Sequence, residues 1–123
     1  MDIKNITFVI TTYKSEDTIY SCLNSLPKEV NKIILENSNS NELKIDLEKK
    51  YENLQCYLMS ENLGYGKANN IGIHKSKTDY VFILNPDAKL LKNTLDDLFK
   101  ALANEDFSIA APLDTKEKNK FFF

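Results

Sequence analysis

The feature that most constrains this chain is a regular alternation of short β-branched runs with apolar residues at helical spacing. The first run, Ile6–Thr12 (ITFVITT), is too short for a helix and apolar enough to be buried on both faces. A helix follows, which Ser15 is predicted to cap and Pro27 to end. Strands that alternate with helices predict an α/β fold, with a mostly parallel sheet and helices on both of its faces.

The alternation continues along the rest of the chain, and no repeat or linker interrupts it, so residues 1–123 are predicted to form one domain. Further strands are predicted at Lys32–Leu35, Gln55–Ser60, Tyr80–Leu84 and Phe107–Ala111, the last closed by Pro112. Further helices are predicted within Asn41–Asn53, at Lys67–Lys75 despite Gly72, and from Asn93 or Thr94 to Leu102. Tyr80–Leu84 is expected to be a central, buried strand.

Composition narrows the classes of function. All sixteen basic residues are lysines scattered among acids, and the net charge is −2, which argues against a nucleic-acid partner. Cys22 and Cys56 fit no metal-binding spacing and are interpreted as buried, reduced thiols. The sequence shows neither a signal peptide nor a membrane span, so the expected location is the cytoplasm, with a peripheral position at the inner face of the membrane as the alternative.

Polar, turn-forming segments follow each of the first four predicted strands. These segments are Thr11–Lys14, Glu36–Asn41, Asn62–Asn70 and Asn85–Asp87. Because ligands of parallel α/β sheets bind beyond the carboxyl ends of the strands, the four segments are expected to converge on one ligand site.

Asp87 is the candidate metal ligand at this edge. A carboxylate directly after an apolar strand can hold Mg²⁺ or Mn²⁺ that bridges two phosphate groups. Asn85 could add a neutral oxygen or a hydrogen bond to a sugar. A plainer interpretation is that Asn-Pro-Asp is only a turn, since all three residues favour turns.

The glycine loop is the candidate phosphate-binding element. Gly64 and Gly66 allow a close ligand approach that a Cβ would block, and Asn62 and Asn70 supply polar groups nearby. The loop is not a dinucleotide fingerprint, because Asn69 stands where the third glycine of that motif would be.

The first two strand ends are the candidate base pocket. Thr11 and Tyr13 could line it, while Glu36 and Asn37 could accept hydrogen bonds from a base or ribose. A solvated loop acid is the alternative interpretation of Glu36. His74 stands alone and is interpreted as a solvated or core-edge histidine.

The ordered combination of these segments resembles the nucleotide-sugar-binding half of GT-A-fold, family 2 glycosyltransferases, from about Thr7 to Pro112. The matching stretches are ITFVITTYKSEDTIYSCLNSL, IILENSNSNE, ENLGYGKANNIGI and DYVFILNPDA. The resemblance implies a nucleotide-diphosphate sugar donor, Mg²⁺ or Mn²⁺, and a saccharide or lipid-linked saccharide acceptor. It matches Asn85-Pro86-Asp87 to the metal-binding DxD position, in the NPD form of rhamnosyltransferase-like members.

The residue patterns and the resemblance together give the full set of predicted site residues. Donor-binding roles fall on Thr11, Tyr13, Glu36, Asn37, Asn62, Gly64, Gly66, Asn70 and Asn85, with Asp87 on the metal. Two departures stand out, because Glu36 lies where the family usually has aspartate and Asn85 removes the first carboxylate of DxD.

The family's acceptor-binding half, which carries the catalytic base, is expected beyond this chain, so the catalytic residue is unknown. The apolar end Phe121–Phe123 is interpreted as a surface for a partner or for homo-oligomer formation. The alternative function is therefore an inactive truncated fragment or partner-binding module without turnover. A nucleotidyltransferase is disfavoured because TTYKSED lacks a glycine-rich basic loop.

Overall fold

The described chain forms two compact units. The structure, a computed structural model, describes residues 2–103, 105–106, 109–112 and 121–122. The first unit, Asp2–Lys89, contains a 3-10 turn (Ile3–Asn5), strands β1 (Ile6–Thr12), β2 (Asn31–Glu36), β3 (Leu54–Leu58) and β4 (Tyr80–Ile83), and helices α1 (Ile19–Asn24), α2 (Asn41–Lys50) and α3 (Tyr65–Lys75). The second, Leu90–Phe123, contains helix α4 (Thr94–Leu102) and strands β5 (Ala111–Pro112) and β6 (Phe121–Phe122).

The first unit is built on a four-stranded sheet in the order β3-β2-β1-β4. All three pairings are parallel, and Thr12, Glu36 and Leu58 lie level with one another at the ends of their strands. The predicted α/β architecture with a parallel sheet is confirmed. As a result, the carboxyl ends of the strands share one edge.

Strand β1 lies at the centre of the core, and all seven of its residues are buried. Because side chains alternate along a strand, neighbouring residues serve opposite faces. Phe8 stacks on Phe82 with ring centroids 4.9 Å apart, whereas Val9 packs with Leu35 and Ala68 on the face covered by α3. The β1-to-β2 and β2-to-β3 connections run through α1 and α2, and the right-handed rule for such crossovers predicts that these two helices cover the other face.

Helix α3 approaches the sheet unusually closely at Gly72. A Cβ at this position would lie 2.5 Å from Val9 Cγ1 and 2.7 Å from Leu35 Cδ2. The glycine that weakens the sequence-based prediction of this helix is therefore what allows the helix to pack against β1 and β2.

Two local predictions are wrong. Strand β4 is not central, because among the described strands it pairs with β1 alone, and Ile83 is 42% exposed. The connection through α3 passes back over β2 and β1, which a run of apolar residues cannot reveal.

The other wrong prediction is the helix cap, because the side chain of Ser15 does not bond to a backbone amide of α1. Its hydroxyl instead exchanges hydrogen bonds with the backbone of Tyr13, and α1 begins later, at Ile19.

The second unit agrees with the sequence in its helix but not in its strand. The helix α4 lies where the sequence predicts it and buries an apolar face through Leu95, Leu98 and Leu102. Phe107 and Ser108 of the predicted fifth strand lie outside the described residues, and Ile109 and Ala110 are not in a strand. Ala111 instead belongs to β5, which pairs antiparallel with β6. None of the helices in the described ranges is long and apolar enough to cross a membrane.

The described part of the C-terminal apolar tail pairs within the chain. Phe121 lies opposite Pro112 and Phe122 opposite Ala111, while Phe123 is outside the described residues. This intrachain pairing gives no support to the predicted self-association through the tail.

A buried lysine stabilises the edge of the sheet where the strands begin. Lys32 is only 3% exposed, and its Nζ donates to the carbonyl oxygens of Lys28, Val30 and Glu52 at 3.0, 2.9 and 3.0 Å. Burial lowers the pKa of this ammonium group, and the three carbonyls satisfy all of its donors. Lys32 therefore joins the turn before β2 to the turn after α2.

We expect Gly72→Ala to lower the free energy of unfolding by about 1–2 kcal/mol, because overpacking outweighs the better helix propensity of alanine. Gly66→Ala is the matched control in the same helix, since a Cβ there meets no atom within 4 Å. Urea denaturation of both variants measures the difference. A Gly72→Ala protein as stable as the control would show that α3 can move away from the sheet at little cost.

Candidate functional site

Four segments meet at the carboxyl edge of the sheet, and we call this region (residues 11–14, 36–41, 62–70 and 85–87) the strand-end site. Backbone hydrogen bonds continue the sheet into it. Asn37 N donates to Thr12 O at 2.8 Å, and Leu84 N donates to Val9 O at 3.1 Å. The structure thus brings together the segments that the sequence predicts to converge.

Glu36 lies beneath this site rather than on its surface. The residue is 0% exposed, and its Oε1 accepts from Thr12 Oγ1 at 3.1 Å and from Ser38 Oγ at 2.7 Å. Its Oε2 accepts from Ser40 N at 2.7 Å. The carboxylate therefore has three neutral donors from the protein itself, and it ties the end of β1 to the loop that enters α2.

Asn37 is the second buried support, at 3% exposure. Its Nδ2 donates to Gly64 O at 3.3 Å, and its Oδ1 accepts from Leu63 N at 3.4 Å. Asn62 Oδ1 accepts from Gly64 N at 3.0 Å, which further fixes the turn. Gly64 has a φ of +80°, a left-handed conformation that favours glycine, so this loop is held in a shape that its sequence makes accessible.

The amino end of α3 opens onto the strand-end site. The first hydrogen bond of this helix runs from Ala68 N to Gly64 O, so the preceding amides of the first turn have no acceptor within the helix. Gly66 is exposed and carries no Cβ over these amides. Free amides and the positive end of the helix dipole make such a terminus suitable for binding an anion.

Of the two β1-end residues predicted to line the base pocket, Thr11 is buried and Tyr13 is exposed. Thr11 Oγ1 donates to Asn69 Oδ1 at 2.7 Å, and because both residues are buried this bond joins β1 to α3. Tyr13 is 49% exposed, with Lys14 Nζ 5.3 Å from the centroid of its ring. Asn70 is exposed on α3, where its carbonyl oxygen lies 2.7 Å from His74 Nδ1.

The turn that carries Asp87 is anchored through Asn85. Ala88 N donates to Asn85 O at 3.0 Å, and the thiol of Cys22 donates to the same oxygen with Sγ at 3.6 Å. Tyr65 Oη donates to Asn85 Oδ1 at 2.7 Å, which joins this turn to the first residue of α3. Tyr65 was not among the residues predicted from the sequence, although an aromatic residue between two glycines is a visible signal.

Asp87 is exposed, and its negative charge acts on Cys22 of α1. Burial raises the pKa of the Cys22 thiol to about 11, and the negative charge of Asp87 contributes to that rise. Among the residues that the structure describes, no group of three histidine, cysteine, aspartate or glutamate side chains could hold a metal ion. One exposed carboxylate fits Mg²⁺ or Mn²⁺ when phosphate oxygens and waters complete the coordination.

Comparison with known proteins identifies relatives of most of the chain. The model of a family described as glycosyl transferase family 2 matches residues 7–122. The low-salt glycan biosynthesis hexosyltransferase Agl10 of Haloferax volcanii is 26% identical over 112 residues, which are 88% of this chain and 36% of that protein. The poly(ribitol-phosphate) beta-glucosyltransferase of Bacillus spizizenii is 35% identical over 92 residues, 67% of this chain and 14% of that protein.

The fold also matches a solved structure. A crystal structure of S. aureus TarS 1-349 superposes with a TM-score of 0.67 and 25% sequence identity, covering 80% of this chain and 32% of that one. This chain therefore spans only about a third or less of the length of each of these three proteins.

The hydrogen bonds of Glu36 give a stability prediction. Glu36→Ala leaves the Ser40 amide without its acceptor and opens a cavity, so we expect a loss of about 2–4 kcal/mol in the free energy of unfolding. Glu36→Gln should lose less, because its oxygen can face Ser40 while its amide donates to the hydroxyls. Chemical denaturation, with the exposed acid in Glu61→Ala as control, measures these losses. Equal stabilities of the Glu36→Ala and Glu61→Ala proteins would contradict the supporting role.

The two buried thiols give a pH prediction. Burial raises the pKa of Cys22 to about 11 and that of Cys56 to about 12, from an ordinary value of 9.0. The thiols of the unfolded chain ionise first, so this contribution to stability is complete below pH 9 and is lost as the pH rises toward 11 and 12.

We therefore expect thermal stability to fall above pH 9, and to fall less in the Cys22→Ala/Cys56→Ala protein. At pH 8 an aromatic disulfide reagent should label the folded protein slowly and label both thiols after denaturation. Rapid labelling of two thiols in the folded protein would contradict this burial.

Proposed function

This chain belongs to glycosyl transferase family 2, and from that premise we propose that its strand-end site binds a nucleoside-diphosphate sugar for transfer to an acceptor hydroxyl. The observation that most supports the proposal is the 2.7 Å hydrogen bond from Tyr65 to Asn85. Because of this bond, the carboxylate turn of Asp87 lies beside the amino end of α3. A group suited to a metal ion and a group suited to phosphates are thus neighbours.

In this proposal the diphosphate lies at the amino end of α3. The free amides after Gly64 donate to phosphate oxygens, and the missing side chain of Gly66 allows the phosphates to come near the backbone. The exposed side chains of Asn62 and Asn70 add polar contacts at the two sides of the loop. Asn37 acts from beneath, by holding the loop in place.

Asp87 would hold Mg²⁺ or Mn²⁺ together with the diphosphate. When bound, such an ion neutralises the charge that develops on the leaving diphosphate. With a single protein carboxylate, metal affinity should depend strongly on the nucleotide.

The nucleoside would lie toward the ends of β1 and β2. Tyr13 offers an exposed aromatic face for a base, and Lys14 adds a positive charge near its ring. Thr11 and Glu36 already have partners within the protein, so we propose that they shape the floor of this pocket.

The proposed reaction is attack of the acceptor hydroxyl on the anomeric carbon of the sugar, with inversion of configuration and departure of the nucleoside diphosphate. The relatives are named for glycan biosynthesis and for poly(ribitol-phosphate) glucosylation, which supports a saccharide or other glycan-like acceptor. We assign no residue of this chain as the catalytic base.

Calorimetry tests the donor site. We expect UDP, dTDP or GDP to bind in the presence of Mn²⁺, and Asp87→Ala to weaken that binding by roughly tenfold or more, because a charged metal ligand is lost. The matched control is Asp79→Ala, which removes an exposed aspartate at the other end of β4.

Two outcomes would contradict the proposal. One is the absence of heat for all three nucleotides with metal, which would favour a partner-binding module without turnover. The other is an equal effect of the Asp79 and Asp87 substitutions on nucleotide affinity.

A further inference from the structure

The side chain of Asn85 is held by α3, and its backbone oxygen is held by α1 and by its own turn. Tyr65 Oη lies 2.7 Å from Asn85 Oδ1, and the backbone oxygen of Asn85 accepts from Ala88 N at 3.0 Å and contacts Cys22 Sγ at 3.6 Å. These contacts come from α3, from the turn itself and from α1. The amide of Asn85 is therefore fixed in orientation although the residue is exposed.

The contact of Tyr65 engages the oxygen end of the Asn85 amide. The phenol Oη donates to Oδ1 at 2.7 Å, and this leaves Nδ2 with its two N–H donors. Within the described residues, Nδ2 has no partner.

We propose that Tyr65 is a positioning residue, which orients Asn85 so that its N–H groups, and not its oxygen, meet the phosphate oxygens of the donor. This inference rests on the proposed function. It also identifies the role of the first residue of Asn85-Pro86-Asp87. Asn85 is a hydrogen-bond donor to the anion, and Asp87 is the metal ligand of the pair.

The charge of the neighbourhood agrees with this division of roles. Asn85 is tied to the first residue of α3, where the free amides of the helix end are suited to binding an anion. An N–H donor beside these amides adds to the same binding surface. An amide oxygen in that position would face the phosphates with a like partial charge.

A double-mutant cycle tests whether Tyr65 acts through Asn85. Affinity for the best-bound of UDP, dTDP and GDP with Mn²⁺ is measured by calorimetry. We expect Tyr65→Phe to weaken binding by about three- to tenfold, as for the loss of one hydrogen bond. In the Asn85→Ala background the same substitution should have no further effect.

The matched control is Tyr57→Phe. The hydroxyl of Tyr57 donates to Gln55 Oε1 at 3.0 Å on β3, so this variant removes the same type of bond away from the strand-end site. It should leave nucleotide affinity unchanged. Additive effects of Tyr65→Phe and Asn85→Ala, or a Tyr57→Phe effect of equal size, would overturn the positioning role.

Asn85→Asp separates the two roles of the amide. The aspartate can still accept from Tyr65 but has no N–H, so nucleotide affinity should fall at least as far as in Asn85→Ala. Tighter Mn²⁺-dependent binding in the Asn85→Asp protein would show that an oxygen ligand is wanted at this position, and would overturn the proposal.

A ligand-free measurement keeps the positioning role distinct from the proposed function. In nuclear magnetic resonance spectra, the side-chain amide signals of Asn85 should shift in the Tyr65→Phe protein and stay in place in Tyr57→Phe. Unchanged signals would overturn the positioning by Tyr65. If the signals shift but the wild-type protein binds no nucleotide, the contact stands, while the donor function and the phosphate-binding role of Asn85 both fail.

Discussion

Strand β1 is buried along its whole length, and the described sheet and its two helical layers are arranged around it. Its last two residues, Thr11 and Thr12, also join β1 to neighbouring elements, but they do so through hydrogen bonds. Thr11 bonds to Asn69 of α3 on one face, and Thr12 bonds to Glu36 on the other. The floor of the strand-end site is thus an extension of the core, in which hydrogen bonds replace apolar contacts.

This arrangement divides the polar residues of the strand-end site into two groups. One group is buried and holds loops in place, and the other remains exposed. A buried polar group must find a partner, and at a crowded sheet edge the nearest partners belong to neighbouring loops. Glu36 and Asn37 follow this rule, because each is almost fully buried and each fixes a loop. Tyr13 and Asp87 remain exposed. Fewer of the predicted site residues are exposed than their positions after the strands suggest.

The positions of most strands and helices were predictable from the sequence, because burial patterns depend on local periodicity. The bounds of β1 agree with its β-branched run, and the face of α4 agrees with its leucine spacing. Strand order was less accessible, since the apolar run of β4 suits an edge as well as a centre. The pairing of Tyr65 with Asn85 joins residues 20 positions apart, and no local pattern encodes it. Side-chain partnerships at the site depend on how distant turns meet, so the sequence identified the segments but not these contacts.

The two edges of the sheet differ in chemistry. The β3 edge carries the exposed amide of Gln55, whereas β4 exposes Ile83 at 42%. An apolar edge strand is a template on which strands of neighbouring molecules can add. Of the two edge strands among the described residues, β4 is therefore the one whose side chains would favour the addition of a further strand.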